Sequence, residues 1–124
     1  MNDTPDKLVW KDGSGLSRYN LFTPRTMVYL LEKMHAEYGE ERLFEIMAVG
    51  GVSGTIKKWY AGEGEPYVYA KTGTMSNKHS LCGYIKTKSG KTLIFAFMHN
   101  NYIGSSKPLK VEMQKILDRI REEY

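Results

Sequence analysis

Lys71-Thr72-Gly73-Thr74 places an ammonium group, two hydroxyls and a residue without a side chain in four consecutive positions. At the edge of an antiparallel sheet, a Lys-Thr-Gly run can hold a peptide carboxylate and present exposed backbone to the rest of the peptide. The glycine removes a side chain where a second backbone or a ligand must come close. The chemistry expected of these residues is therefore substrate binding, and the plain alternative for Lys71 is a solvated strand lysine.

The surrounding pattern supplies the strand. After Pro66, the run Tyr67-Val68-Tyr69-Ala70-Lys71-Thr72 alternates, with Val68, Ala70 and Thr72 on one face and Tyr67, Tyr69 and Lys71 on the other, more open face. A second strand is predicted over 80–87 and a third over 92–98, joined by the polar turn Lys88-Ser89-Gly90-Lys91 as an antiparallel hairpin. The third run is almost continuously apolar, which predicts a strand covered on both faces in the middle of a layered domain.

Helices must flank this meander. Thr23-Pro24 reads as a cap followed by a first-turn proline; Met27, Leu30, Leu31, Met34 and Tyr38 then mark one helical face, with Gly39 as the stop. A short helix is predicted over 41–48, a loop over Gly50-Gly51-Val52-Ser53-Gly54, and a further turn or two over 55–60. Pro108 begins a last helix with a stripe of Met113, Ile116, Leu117, Ile120 and Tyr124. The fold class expected is α+β: a three-stranded antiparallel meander with flanking helices, in a single domain spanning 1–124.

Four landmarks occur in order: Asp12-Gly13-Ser14-Gly15-Leu16-Ser17-Arg18-Tyr19-Asn20, the helix opened by Thr23-Pro24, Gly51-Val52-Ser53-Gly54-Thr55, and Ala70-Lys71-Thr72-Gly73-Thr74. Together they resemble the C-terminal part of the D-alanyl-D-alanine carboxypeptidases of the penicillin-binding protein 4 type, peptidase family S13, over nearly the whole chain. The resemblance implies a partial serine β-lactamase/transpeptidase-like fold and a serine acyl-enzyme mechanism. It also implies peptidoglycan stem peptides as substrate, β-lactams as acylating inhibitors, no cofactor, no metal, and a periplasmic or other extracytoplasmic location. In that setting Lys71 would fix the terminal carboxylate and polarise the nucleophile's proton path. Thr72 and Thr74 would offer hydroxyls to the carboxylate, and the backbone around Gly73 and Thr74 would pair with the peptide and supply one oxyanion N–H. Asp12, Gly13, Ser14 and Arg18 read as a structural turn, with Asp12 and Ser14 bonding local backbone and an Asp12–Arg18 pair bracing the loop.

The nucleophile expected of such an enzyme is absent. Acyl transfer needs a nucleophile with a base beside it, supplied in the family by Ser-x-x-Lys, and no Ser-x-x-Lys occurs in the sequence. Ser53-Gly54-Thr55-Ile56-Lys57 is one residue too long, and Thr55-Ile56-Lys57-Lys58 has the wrong hydroxyl. Ser-x-Asn is missing as well, because Ser17-Arg18-Tyr19-Asn20 has one residue too many. The chain reads as about the last quarter of such an enzyme, inactive alone and prone to self-association through surfaces that the rest would cover.

Other signals carry less. Ser89-Gly90-Lys91-Thr92 lacks the upstream glycine of a phosphate-binding loop, since that position is Ile85. Cys82 with His79 or His99 could suggest a thiol or a metal site, but a lone cysteine between Leu81 and Gly83 reads as a small buried hydrophobe. The formal charge of +4 and pI near 9.1 permit a small basic nucleic-acid-binding domain as the non-enzyme alternative. The basic residues are scattered rather than gathered in a stripe, so no nucleic acid is expected as a partner. No membrane span is visible, and one cysteine allows no internal disulfide.

Overall fold

In the computed structural model, which describes residues 3–124, the chain forms an α+β domain of three layers around a four-stranded antiparallel sheet. Helix α1 spans Pro24–Tyr38. Its ends follow from local chemistry: the Thr23 hydroxyl accepts from the Thr26 N–H at 3.1 Å, Pro24 stands where no N–H is needed, and Gly39 closes the helix at φ +77°. Helix α2, Glu40–Ile46, follows directly. Strand β1 is only Ala48–Val49, β2 is Val68–Met75, β3 is Lys78–Lys86 and β4 is Thr92–Asn100. Helix α3, Lys107–Glu123, closes the chain, and among the described residues no helix is long and apolar enough to cross a membrane.

The sheet order is β1-β2-β3-β4. The predicted meander is present, with β1 added beside it, where the sequence pattern extends the second helix through Ala48. Two residues are too few to show an alternation, and β1 exists only because Ala48 and Val49 pair with Ala70 and Tyr69.

Alternation along β3 divides the core. Leu81 and Ile85 face α3 and pack with Val68, Ala70, Met113 and Leu117, while Cys82 and Tyr84 face α1 and α2 and pack with Leu31 and Leu43. Each face buries several large apolar side chains, at ~1.5–3 kcal/mol apiece relative to exposure, so the sheet is held from both sides.

As its apolar run predicts, β4 is covered on both faces within the middle layer, with Leu93, Phe95 and Phe97 in the α3 core and Ile94, Ala96 and Met98 in the α1 core. It is nevertheless the edge strand, and β3 is the most continuously buried. Two other expectations are corrected. Tyr67 is not on an open face. It is 1% exposed, lies just before β2 and outside its alternation, donates its hydroxyl to Asp118, and carries the Arg121 guanidinium 4.4 Å from its ring centroid. Tyr69 is half-buried and stacks on Phe44 at 3.8 Å, which leaves Lys71 as the exposed member of that face. On α3, Met113 and Leu117 are buried, but Ile116 and Tyr124 are exposed, so the packed stripe is narrower than the sequence pattern.

Candidate substrate-binding site

The outer edge of β2 is only partly closed. β1 covers it at Tyr69 and Ala70, and the Gly50 N–H donates to the Val68 carbonyl at 2.9 Å. In an antiparallel strand successive residues direct their N–H and C=O groups to opposite edges. The peptide groups of Val68 point toward β1, so those of Ala70, Thr72 and Thr74 point the same way. Beyond Ala70 no strand among the described residues meets them. The open edge therefore begins at the Lys-Thr-Gly run, and an added extended peptide would meet the N–H and C=O of Thr72 and Thr74.

Side chains along this edge alternate between the two sides of the sheet. Lys71 pairs in register with Cys82 and Thr72 with Leu81, which puts Lys71 on the α1 side and Thr72 on the α3 side. The Lys71 amine donates to the Thr72 carbonyl at 2.7 Å, folded over the same edge that a peptide would use. It has no carboxylate partner among the described residues, so its charge is available. The Thr72 hydroxyl meets the Thr55 hydroxyl at 2.7 Å.

Gly73 packs closely against β3, and a side chain there would have to displace the Ser80 hydroxyl. A Cβ there would stand 2.8 Å from the Ser80 Oγ, and Ser80 donates to the Gly73 carbonyl at 3.3 Å. The Thr74 hydroxyl lies 2.8 Å from Nδ1 of His79. All four residues of the run are thus engaged by a neighbour.

Thr55 reaches the site because of the loop before it. Gly54 has φ +60°, and a Cβ on it would come within 2.7 Å of the Ala48 Cβ. Only glycine allows the chain to turn this tightly over β1 and enter the short 3-10 turn of Gly54–Ile56.

Two clefts adjoin the run. One, of about 540 Å³, is lined by Lys71, Thr72 and Gly73 together with Trp10, Leu30 and Met98. The other, of about 390 Å³, is lined by Gly73 and Ser80 on the sheet and by Arg18 and Asn20 from the opposite loop. The Asp12-Gly13-Ser14 turn builds that loop. Asp12 accepts from the Ser14 N–H at 3.0 Å and from its hydroxyl, bonds that hold its carboxyl below the usual carboxylate range. Asn20 ties the turn shut, its Oδ1 accepting from Lys11 and Asp12 at 2.8 and 3.0 Å and its Nδ2 donating to the Asp12 carbonyl at 2.7 Å.

The expected Asp12–Arg18 pair does not form. Ser14 occupies Asp12, and Arg18 has no carboxylate partner among the described residues. Arg18 lines the smaller cleft instead, so the residue assigned to bracing stands free for other work. Cys82 is buried, and burial pushes its thiol up to about 11, far from a thiolate at neutral pH. Sequence reasoning missed Thr55, Ser80 and His79, which bond to the three residues after Lys71. Thr55 belonged to a quoted landmark, but nothing in the spacing says that it meets Thr72.

The family described as D-Ala-D-Ala carboxypeptidase 3 (S13) matches residues 4–124. The chain belongs to this family. This S13 chain is 35% identical over 119 residues to the D-alanyl-D-alanine carboxypeptidase DacB of Haemophilus influenzae, covering 94% of this chain and 25% of that one. It is 38% identical over 111 residues to a D-alanyl-D-alanine carboxypeptidase of an Actinomadura species, covering 85% and 20%. Penicillin binding protein 4 (dacB) of Haemophilus influenzae superposes with a TM-score of 0.81 at 27% identity, over 93% of this chain and 28% of that one. That protein is also known in complex with a β-lactam. The S13 chain spans about a quarter of the length of the relatives that it matches.

Proposed function

We propose that this chain is the C-terminal, Lys-Thr-Gly-bearing wall of a serine-type D-Ala-D-Ala carboxypeptidase or endopeptidase acting on peptidoglycan stem peptides outside the cytoplasm, with residues 1–124 as one piece of its penicillin-binding domain. The observation that carries this reading is the open edge of β2, where the peptide groups of Thr72 and Thr74 face outward beside the Lys71 amine. A stem peptide would add to that edge as a strand. Lys71 would hold its terminal carboxylate, Thr72 and Thr74 would donate hydroxyls to it, and the Thr74 N–H would stabilise the oxyanion. β-Lactams would occupy the same edge. The nucleophile and its base must come from outside this sequence, which contains no Ser-x-x-Lys.

The test is a chimera in which this chain replaces the matching quarter of the Haemophilus influenzae DacB relative. A folded chimera that is acylated by labelled penicillin and releases D-Ala supports the reading. A folded chimera, with native-like circular dichroism and melting, that is not acylated sinks it.

A further inference from the structure

Thr74 and His79 are direct cross-strand partners in the β2–β3 register, and the Thr74 Oγ1 lies 2.8 Å from His79 Nδ1. His79 is 2% exposed. Its other nitrogen, Nε2, is buried with no hydrogen-bond partner among the described residues. Neutral imidazole has one N–H, and its placement decides who donates to whom. With the proton on Nε2, a buried donor would be orphaned and Thr74 would have to give its hydroxyl proton to Nδ1. With the proton on Nδ1, that N–H is satisfied by Thr74 and the orphan is only a bare acceptor, the more tolerated vacancy. Double protonation would add a second donor to the same unpartnered position. The charged and titratable groups near the ring are His99, its cross-strand partner on β4, and Lys110 on α3; neither is a carboxylate that would welcome the charge.

We propose that His79 is a positioning residue for Thr74, donating from Nδ1–H to the Thr74 oxygen so that the hydroxyl's own proton is turned outward to a peptide carboxylate at the open edge of β2. Without this bond the Thr74 hydroxyl would be a free rotor whose proton has no fixed direction. With it, one acceptor lone pair is fixed toward His79, and the hydroxyl's proton is confined to the two remaining positions, both directed away from the ring. The carboxylate half of the proposal rests on the function proposed above, whereas the direction of the Thr74–His79 bond does not.

Long-range 1H–15N spectra of the uniformly 15N-labelled chain at pH 8 test the bond directly. The expected result is a protonated Nδ1 and an unprotonated Nε2 for His79; the reverse tautomer overturns the proposal. In Thr74→Val, which keeps the β-branched shape but removes the acceptor, His79 is expected to shift toward the Nε2–H form, and an unchanged ring overturns the proposal. Titration with N-acetyl-D-Ala-D-Ala then reads the carboxylate half through the Thr74 signals. His79→Phe should weaken that response about 5-fold or more, as for one lost hydrogen bond, while His79→Asn, whose amide can present an N–H near the Nδ1 position, should recover most of it. Equal binding by His79→Phe and wild type removes the positioning role. A wild-type chain with the expected tautomer but no response to the peptide removes the carboxylate half and leaves the hydrogen bond standing, while the proposed function is decided separately by acylation of the chimera.

Discussion

The hydroxyls of Thr55 and Thr72 meet at 2.7 Å across the junction between the 3-10 turn and β2. Each hydroxyl has one proton and can accept as well. For Thr72 to donate to a peptide carboxylate, Thr55 must donate to Thr72. The glycine-rich loop that carries Thr55 thereby meets the open edge of β2 through a single hydrogen bond.

This yields a prediction for Thr55→Val in the chimera with DacB. The pair is exposed, so the melting temperature should stay within a few degrees of the parent. Acylation by penicillin should fall about 5-fold, the effect of about 1 kcal/mol for one hydrogen bond. Stopped-flow acylation rates decide it, and an unchanged rate would show that Thr72 needs no partner behind it.

Lys71→Ala in the same chimera should be more severe. The amine is exposed and bonds only to the neighbouring Thr72 carbonyl, so little stability depends on it. Loss of a preorganised charge at the reacting centre should lower acylation about 10²-fold or more. A mutant that matches the parent would reduce Lys71 to an ordinary strand lysine.

The chain by itself should neither release D-Ala from a stem peptide nor form a covalent adduct with labelled penicillin. On the function proposed above its open edge would hold the peptide, but no Ser-x-x-Lys lies anywhere in the sequence to attack. Intact-mass spectrometry after incubation is the measurement, and a stable adduct on any serine would mean that a nucleophile has gone unrecognised.

How far these features could be read in advance depended on whether their causes were local. The first helix was legible because Thr23, Pro24 and Gly39 act within one turn of its ends, and the Lys-Thr-Gly strand because its alternation is a local pattern. β1 was not, since a two-residue strand has no pattern and exists through pairing with residues at least twenty positions away. The burial of Tyr67 was hidden for the same reason, its partner Asp118 lying far along the chain on α3. His79 is different: its signal was present and went unread. Met75 and Lys78 are joined by Ser76-Asn77, with Asn77 at φ +62°, a two-residue hairpin turn. Starting the second strand at Ser80 missed this; the turn alone fixes the register that sets Thr74 against His79.

Stability should decline on mild acidification, and His79 should be the main cause. Burial, followed by the nearby Lys110 and His99, lowers its pKa below the ordinary 6.5. The unfolded chain therefore binds a proton near pH 6.5 that the folded chain refuses, so the stability contributed by neutral His79 is present above about 6.5 and is lost as pH falls below it. Asp6 is held below its ordinary 3.8, first by Arg25, and Glu40 below its ordinary 4.5, first by Lys86. Their contributions are lost only at lower pH. Melting temperature should fall between pH 7 and pH 5 in the wild type and much less in His79→Asn. Parallel profiles for the two proteins would assign the slope elsewhere.

Self-association should proceed through β4 rather than through the tyrosines of β2. Tyr67 is sealed beneath α3 and Tyr69 is covered by Phe44, so neither offers the open face that the alternation predicts for them. The nine residues of Thr92–Asn100 form an edge strand whose outer side is unpaired among the described residues, with apolar side chains on both faces. An unpaired edge of this length is a template for another strand. Sedimentation equilibrium should show dimer or larger species at tens of micromolar. Amide exchange in β4 should slow as concentration rises, while exchange at Thr72 and Thr74 on the other edge stays constant. Protection that grows at Thr72 and Thr74 instead would place the contact on the binding edge, and a monomer with no concentration dependence would mean that the β4 edge is protected within the chain itself.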